Sequence, residues 1–378
     1  MQKLVVVADA AIPFLKGVLD PFAEVRYYPG AQITRKELAD ADALLVRTRT
    51  AVNAELLENT PVRFVATATI GMDHLDTAYL DSKKIVWANA PGCNADSVIQ
   101  YVASALFSMS RRFCERLEGK TIGIIGVGNV GSRVASLAKI LGMNVLLCDP
   151  PRVALDSSAD FCHRVEMIPK CDIVSLHVPL LYSGRFMTHR LANAEFIGAM
   201  QPNAWLINTS RGEVLDSSAL RLALRGGSIG GAVLDVWEGE PSIDRELLSL
   251  VDFGTSHIAG YSRDGKANAT TAVVKELAKY FGLEALRSFK VTLNDDLPVL
   301  ECDARGKIPE DAIGELYLQT YDIHRDDAAL RAKPSDFEFL RSHYPERREP
   351  KAYRVHLKNA SLAFRHTLES LGFTVLAE

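Results

Sequence analysis

The chain has 378 residues, of which 48% are hydrophobic and 24% charged, and its net charge at pH 7 is −4. These values are typical of folded globular proteins and exclude a disordered or collagen-like chain. No apolar run reaches the roughly 18 residues that a membrane-spanning helix needs, and no block of like charge indicates a nucleic-acid-binding surface.

The amino terminus and the cysteines favour a cytoplasmic protein. The short apolar run at residues 1–8 lacks the length and the basic flank of a secretion signal. The six cysteines are scattered without a C-x-x-C pair, a pattern typical of reduced thiols rather than of disulfides or a zinc site. We therefore expect a cytoplasmic protein that has no metal site, no membrane partner and no nucleic-acid partner.

The first three quarters of the chain alternate short apolar runs with helical patterns, which predicts parallel sheets built from βαβ units. A first set of strands is predicted at residues 4–8, 43–47, 63–67 and 85–88. A second set is predicted at residues 121–125, 144–148, 172–177, 204–208 and 231–236. Between the two sets, an apolar stripe at helical spacing predicts a long helix at residues 97–112. The sequence therefore predicts two doubly wound α/β lobes with an interdomain helix.

The last part of the chain differs in composition, because about a third of the residues from Leu300 onward are charged, against about a fifth before them. Apolar runs at residues 353–357 and 373–376 flank a helical pattern at residues 360–371, which predicts one more βαβ-like unit. We expect a small third domain of α+β type here.

A G-x-G-x-x-G motif at residues 126–131 follows the predicted strand at residues 121–125 and precedes a helical pattern. This context is typical of a dinucleotide-binding turn, in which the glycines allow a tight bend and a close approach of the backbone to a pyrophosphate. The helix that follows directs unpaired N–H groups at the anion. The motif predicts cofactor contacts at Gly126, Gly128, Asn129, Val130 and Gly131.

An acid, Asp149, ends the next predicted strand, 18 residues after Gly131. A carboxylate at this position accepts hydrogen bonds from the adenosine ribose and repels a 2′-phosphate, which favours NAD over NADP. Arg152, three residues later, is a cation that would weaken this preference, but the prediction remains NAD.

Three further strand ends carry a cation, a carboxylate and an imidazole, at Arg211, Glu240 and His257. Residues just past the carboxyl ends of parallel strands face the ligand crevice of an open sheet. The arginine can bind a substrate carboxylate through two hydrogen bonds, and the histidine can move a hydroxyl proton near neutral pH. Glu240 can hold the imidazole and stabilise its protonated form, although Glu238 is a nearby competitor. Together these groups predict hydride transfer from a 2-hydroxy acid.

With these motifs in register over about the first 285 residues, the chain resembles the D-2-hydroxyacid dehydrogenases. The resemblance implies a flavodoxin-like substrate-binding lobe at residues 1–96 and 258–285, a Rossmann cofactor lobe at residues 97–257, and NAD as the cofactor. It implies catalytic roles for Arg211, Glu240 and His257. It also implies cofactor contacts at Val178, Asp235 and Gly260.

Four segments narrow the resemblance to a subfamily whose substrate is a phosphorylated four-carbon 2-hydroxy acid. They are residues 46–48, 67–74, 90–95 and 257–261. The tail at residues 286–378 resembles the C-terminal dimerisation domain of that subfamily, which implies a homodimer. The resemblance implies substrate contacts at Thr48, Thr69 and Tyr261.

A substrate with two anions needs two binding sites for negative charge, and Arg211 suits the carboxylate. Arg47 follows a predicted strand of the first lobe and, with Thr48, suits the second anion or the substrate hydroxyls. Arg347 and Arg348 of the tail are alternative phosphate partners if they reach in from a second subunit.

Two other functions fit the same fold, because function depends on the site rather than on the architecture. One is another D-2-hydroxyacid dehydrogenase, acting on 3-phosphoglycerate or on glyoxylate and hydroxypyruvate. The other is a non-catalytic, NADH-sensing protein of the corepressor type. Arg47 and Thr48 argue against the corepressor, and a substrate panel separates the dehydrogenases.

Overall fold

The computed structural model describes residues 3–156, 161–294 and 296–376. The chain divides into two compact units, of which the first comprises Met1–Asn94 and Ser262–Asp295 and the second comprises Ala95–Tyr261 and Asp296–Glu378. Residues 1–2 and 377–378, at the ends of the predicted first and third domains, lie outside the described residues.

Strands and α-helices occur along most of the described chain, and their bounds are as follows. The strands are β1 (Val5–Asp9), β2 (Glu24–Tyr28), β3 (Ala43–Val46), β4 (Phe64–Thr67), β5 (Val86–Ala88), β6 (Thr121–Ile125), β7 (Asn144–Cys148), β8 (Ile173–Leu176), β9 (Trp205–Asn208), β10 (Gly231–Leu234), β11 (Phe253–Gly254), β12 (Leu300–Asp303), β13 (Arg354–Lys358) and β14 (Thr374–Val375). The α-helices are α1 (Ala54–Leu57), α2 (Thr77–Ser82), α3 (Ala95–Phe113), α4 (Gly131–Ile140), α5 (Pro150–Leu155), α6 (Arg164–Met167), α7 (Ala194–Gly198), α8 (Ser217–Arg225), α9 (Arg245–Leu250), α10 (Arg263–Phe281), α11 (Pro309–Thr320), α12 (Ile323–Ala332), α13 (Phe337–Ser342) and α14 (Leu362–Ser370).

The first unit is built on a parallel five-stranded sheet in the order β2-β1-β3-β4-β5. Strands β1, β3 and β4 are buried along their whole length, as expected for the inner strands of a parallel sheet covered on both faces. Helix α10 packs against β4 and buries Val273, Val274 and Leu277 in the same core. The strand order confirms the predicted flavodoxin-like lobe.

The second unit holds a parallel six-stranded sheet in the order β11-β10-β9-β8-β6-β7. The strands predicted at residues 121–125 and 144–148 have the bounds of β6 and β7. The chain reverses its direction of winding between β6 and β8, and such a reversal opens a crevice at the carboxyl ends of the strands. This arrangement confirms the predicted Rossmann lobe.

The tail forms its own parallel sheet within the second unit, in the order β12-β13-β14. The segment β13-α14-β14 confirms the βαβ-like unit predicted for the end of the chain. The division of the chain into three domains, with a separate tail from residue 286, stays a prediction.

Helix α3 covers the predicted interdomain helix, but it lies in the interior of the second unit. Its apolar stripe is fully buried, including Tyr101, Leu106 and Met109. The tail covers part of this stripe, because the rings of Phe107 and Tyr317 lie 5.9 Å apart between centroids. The stripe is therefore buried within its own chain.

All six cysteines lie in the described part of the chain, and each is a free thiol. Burial raises the pKa of Cys148 to about 11 and that of Cys171 to about 12, so both stay neutral near pH 7. Among the described residues, no helix has the length and apolar character that crossing a membrane requires.

Candidate active site

The turn between β6 and α4 is shaped by its glycines. Gly126 has a φ of +85°, and a Cβ there would lie 2.5 Å from the carbonyl oxygen of His177. A Cβ on Gly131 would overlap the carbonyl oxygen of Gly126. A Cβ on Gly128 would meet no described atom within 4 Å, so the backbone borders open space at this point. The turn therefore forms a cradle that fits the pyrophosphate of NAD.

Two more predicted cofactor residues, Asn129 and Val130, lie between these glycines. Asn129 is exposed, and Val130 is the residue that precedes α4. Val178 follows β8, and its Cγ1 would lie 2.8 Å from a Cβ on Gly126, so it borders the same turn. The structure thus brings these three predicted residues to the cradle.

Asp149 connects the turn to the end of β7 through hydrogen bonds. Its Oδ2 accepts a hydrogen bond from the N–H of Val127 at 2.8 Å, and its Oδ1 accepts from the N–H of Arg152 at 3.1 Å. Each carboxylate oxygen keeps a second acceptor site, which fits the hydroxyls of an adenosine ribose. Arg152 is engaged locally, because its Nη1 donates to the carbonyl of Val127 at 2.8 Å and its guanidinium lies 5.2 Å from the ring centre of Phe161.

His177, at the end of β8, also contacts the turn and carries a neutral ring. Its Nε2 lies 2.9 Å from Oγ of Ser175. Burial lowers its pKa to about 4, because the charged imidazolium would lose its hydration.

Arg211 follows β9 in a turn that Asn208 builds. Oδ1 of Asn208 accepts from the N–H of Ser210 at 3.0 Å, and its Nδ2 donates to the carbonyl of Arg211 at 3.0 Å. Nη1 of Arg211 donates to the carbonyl of Ser210 at 2.8 Å. A Cβ on Gly212 would overlap the backbone of Trp237, so the Arg211 turn packs directly on the segment that follows β10. That segment carries Glu240.

His257 and Glu240 form a close pair, in which Nδ1 of the imidazole lies 2.5 Å from Oε1 of the carboxylate. Burial acts to raise the pKa of Glu240, but the hydrogen bond and charge of His257, with the charge of Arg341, hold that pKa below its usual value. Glu238 lies elsewhere, and its Oε1 accepts from Nη2 of Arg190 at 2.9 Å. Of the two candidate acids, Glu240 is therefore the one that contacts the imidazole.

The backbone of His257 has a φ of +57°, in the left-handed region that residues with side chains rarely adopt. Its N–H donates to the carbonyl of Asp235 at 2.7 Å. The carboxylate of Asp235, a residue only 1% exposed, accepts from the N–H groups of Ile258 at 2.7 Å and Ala259 at 2.9 Å. Asp235 thus holds the loop that carries His257, and its contact with the nicotinamide stays a prediction.

Gly260 and Tyr261 complete this loop and are half-buried. The ring of Tyr261 meets the ring of Tyr344 edge-on, with 6.1 Å between centroids, and the guanidinium of Arg341 lies 6.0 Å from the ring centre of Tyr261. Both partners come from the tail. Arg341 is not among the residues predicted from sequence, because no local motif marks an arginine that reaches this loop from a distant helix.

Arg347 and Arg348, the alternative phosphate partners, are buried in their own chain. Arg347 is 6% exposed and Arg348 is 9% exposed. Nη2 of Arg347 donates to the carbonyls of Ile258 at 3.2 Å and Ala259 at 2.5 Å. The guanidinium of Arg347 is thus enclosed in its own chain, which argues against its reaching the substrate of a second subunit, whereas that alternative stays a prediction for Arg348.

In the first unit, the predicted substrate residue Arg47 follows β3. Its Nη1 donates to the carbonyl of Ala11 at 3.0 Å, and the residue is half-buried. Thr48 is exposed beside it. Their contact with substrate stays a prediction.

Thr69 follows β4 and belongs to a chain of hydrogen bonds. Its Oγ1 donates to the carbonyl of Gly71 at 3.0 Å and therefore accepts from Oγ1 of Thr67 at 2.7 Å. Because Thr67 uses its proton in that bond, Nε2 of His74 must be the donor to Thr67 at 2.9 Å. Burial, only partly offset by the charge of Asp73, lowers the pKa of His74, which agrees with a neutral ring.

Two regions of the chain match known protein families. Residues 95–259 match the NAD-binding domain of the D-isomer specific 2-hydroxyacid dehydrogenases. Residues 295–372 match a domain of unknown function. The first region contains the glycine-rich turn, Arg211, Glu240 and His257.

The chain is similar over nearly its whole length to proteins named erythronate-4-phosphate dehydrogenase. It is 45% identical to the one from Bacteroides fragilis over 352 residues, which cover 93% of this chain and 98% of the relative. It is 41% identical to the one from Escherichia coli K12 over 377 residues, 98% of each chain. A solved structure of D-lactate dehydrogenase from Aquifex aeolicus, complexed with NAD and lactic acid, is 27% identical with a TM-score of 0.62 and covers 77% of this chain and 100% of that chain.

Proposed function

Because the chain belongs to the erythronate-4-phosphate dehydrogenase family, we propose that it oxidises 4-phospho-D-erythronate to 3-hydroxy-2-oxo-4-phosphooxybutanoate. It is an NAD-dependent dehydrogenase, and its cofactor is NAD. The proposed reaction is a step of vitamin B6 biosynthesis, the route to pyridoxine and pyridoxal 5′-phosphate. The observation that carries the proposal is the close pair of His257 and Glu240, beside the segment on which the Arg211 turn packs.

In this proposal, His257 is the acid–base group. Its Nδ1 faces Glu240, so a neutral ring carries the proton on Nδ1 and leaves the lone pair of Nε2 for the substrate. Nε2 then takes the proton of the C2 hydroxyl, and the Glu240 carboxylate stabilises the imidazolium that forms. In the reverse reaction, the same nitrogen returns the proton to the 2-oxo group.

Arg211 binds the substrate carboxylate, because a guanidinium offers two parallel N–H donors to a carboxylate. The glycine-rich turn holds the pyrophosphate, and Asp149 accepts hydrogen bonds from the ribose. When bound, NAD supplies the nicotinamide ring that accepts the hydride from C2. Val178 and Gly260 are the proposed contacts near that cofactor, and Thr69 and Tyr261 are proposed substrate contacts.

The test is the formation of NADH, followed by absorbance, with 4-phosphoerythronate beside 3-phosphoglycerate, glycerate and unphosphorylated erythronate. We expect the highest kcat/KM with 4-phosphoerythronate. A preference for 3-phosphoglycerate or glycerate would assign the chain to another D-2-hydroxyacid dehydrogenase. Binding of NADH without turnover of any of these acids would favour the corepressor type.

Arg47, with Thr48, is the proposed partner of the phosphate. If the guanidinium pairs with this anion in a partly dehydrated site, Arg47→Ala should cost roughly 2–5 kcal/mol in kcat/KM with 4-phosphoerythronate. With unphosphorylated erythronate the same change should cost little. The neighbouring Arg49→Ala is the matched control. An equal loss with both substrates would move Arg47 to the carboxylate or hydroxyl end of the substrate.

We also propose that the chain forms a homodimer through its tail, as the resemblance of residues 286–378 implies. Light scattering of the full chain should give twice the mass of one chain. A monomer with full activity would contradict this part of the proposal.

A further inference from the structure

Two residues of the loop that carries His257, Ile258 and Ala259, form hydrogen bonds through both their N–H and their carbonyl groups. Asp235 accepts from the N–H groups of Ile258 and Ala259, and Arg347 of the tail donates to their carbonyls. The peptide group between Ile258 and Ala259 is therefore held on both sides, by Asp235 at its N–H and by Arg347 at its carbonyl. This matters because the left-handed φ of His257 is a strained conformation that persists only when its surroundings impose it.

Arg347 sits in an aromatic cage. Its guanidinium lies 4.3 Å from the ring centre of Tyr321 and 5.8 Å from that of Tyr344. The hydroxyls of both tyrosines donate to Oδ2 of Asp326, at 2.9 Å and 2.8 Å. The rings are thereby fixed by a carboxylate, and they fix the direction in which the guanidinium points.

The segment around Arg347 is itself anchored to α3. Nε2 of Gln100 donates to the carbonyl of Arg348 at 2.9 Å, and Oγ of Ser97 donates to Oε1 of the fully buried Glu349 at 3.2 Å. The position of Arg347 is therefore set by the core of the second unit rather than by the surface of the tail.

A packing role alone does not account for an arginine at this position. Nε and Nη1 of Arg347 are buried without a hydrogen-bond partner among the described residues. Burying a cation with unsatisfied donors costs stability, and an apolar side chain of similar size would fill the cage without that cost. What the guanidinium adds is the pair of hydrogen bonds to the carbonyls of Ile258 and Ala259.

We propose that Arg347 is a positioning residue for the acid–base step, through which the tail orients the His257 loop of its own chain. The proposal rests on the proposed role of His257. It gives residues 295–372, which match a domain of unknown function, a task inside each chain that is separate from dimerisation.

The test compares Arg347→Met with Arg331→Met. Arg331 is a matched control, because it also lies in the tail and its Nη1 and Nη2 donate to the carbonyls of Leu248 and Val251, at 2.5 Å and 2.8 Å. These carbonyls belong to α9 and to the residue that follows it, and they precede the His257 loop. Both variants are assayed as full chains, for melting temperature, for NAD affinity and for kcat well below the lower melting temperature.

We expect both variants to melt at a lower temperature than the wild type and to bind NAD with similar affinity. Only Arg347→Met should lose kcat, on the order of 10- to 100-fold, because small displacements of a catalytic group have effects of this size. Arg347→Lys keeps the charge and one nitrogen that can donate to both carbonyls, and it should restore part of kcat. An unchanged kcat in Arg347→Met, or an equal loss in Arg331→Met, would overturn the proposal.

Two outcomes require a further variant or a different substrate. If Arg347→Met does not fold, Arg347→Gln decides, because its neutral side chain is shorter than that of arginine and lacks the reach of the guanidinium. Wild-type kcat in that variant would contradict a role for the hydrogen bonds. If the wild type oxidises a 2-hydroxy acid other than 4-phosphoerythronate, the substrate proposal fails, but the comparison is then run with that acid and still tests Arg347.

Discussion

The two loops at the proposed active site are held in different ways. The turn at residues 126–131 keeps its shape because side chains are missing at Gly126 and Gly131, where a Cβ would strike a carbonyl oxygen. The loop at residues 257–261 keeps its shape because side chains from distant segments bond to its backbone. The first needs only its own residues and the ends of the two neighbouring strands, β7 and β8. The second depends on the correct packing of the whole second unit.

The largest effect is expected at the centre of the His257 loop. His257→Ala removes the proposed acid–base group, and such groups contribute about 10²–10⁴-fold to rate. We expect kcat to fall by that factor while NAD still binds, because the glycine-rich turn is unchanged. Steady-state kinetics and a fluorescence titration with NADH measure the two quantities. An unchanged kcat would contradict the role of His257.

Substitution of Glu240, the partner of the His257 imidazole, should have the next largest effect on kcat/KM. Glu240→Gln removes the charge that stabilises the imidazolium, and a hydrogen bond to a charged group contributes about 1.5–3 kcal/mol, or roughly 10- to 100-fold in rate. Glu238→Gln is the control, because that carboxylate pairs with Arg190 instead. The ratio of the two kcat/KM values tests the assignment, and a larger loss in Glu238→Gln would reverse it.

A methyl group added at Gly131 of the glycine-rich turn should lower the stability of the protein, whereas one added at Gly128 should not. Gly131→Ala forces a Cβ against the carbonyl of Gly126 and should lower the free energy of unfolding by about 1–3 kcal/mol. Gly128→Ala meets open space and should leave stability within about 0.5 kcal/mol, but its methyl group would occupy the cradle and weaken NAD binding. Urea unfolding and NAD titration of both variants give the comparison. Equal destabilisation would show that the turn is not shaped by these contacts.

The smallest expected effect is a pH dependence that arises beside the turn. Burial lowers the pKa of His177 to about 4, whereas an unfolded histidine has a pKa near 6.5, so the unfolded chain binds a proton first as the pH falls. Stability from this group is complete above about pH 6.5 and is lost progressively toward pH 4. Between pH 7 and pH 5.5, the wild type should lose about 1 kcal/mol more than His177→Asn. Parallel stability curves for the two proteins would contradict the buried, neutral ring.

Much of the fold is predictable from sequence, because buried parallel strands have continuous apolar runs. The predicted bounds of β6 and β7 coincide with the observed ones. Strand β2 is missed because it lies at a sheet edge, where its residues are half-exposed and carry polar side chains. Strand β11 is missed because two residues are too short to form a pattern.

The residues of the site also fall into two groups: some are predicted by a local motif, and others are identified only by the tertiary structure. The glycine motif is local, so its residues can be named from the sequence. The choice between Glu238 and Glu240 cannot be made from spacing, since both follow the same strand and only their surroundings in three dimensions separate them. The burial of Arg347 cannot be predicted either, because it depends on tertiary packing, and a charged residue in a charged stretch gives no sign that it is enclosed.

The burial of α3 beneath the tail bears on how the protein is made. Strand β12 leaves the ribosome roughly 190 residues after α3 ends, which takes about 10–40 s at about 5–20 residues per second. During that interval, Phe107 and its neighbours lack the aromatic rings of the tail that cover them in the finished chain. A nascent chain in this state presents apolar surface of the kind that chaperones bind. Burial of α3 is thus complete only after the tail has been synthesised, and not when the cofactor lobe alone has been made.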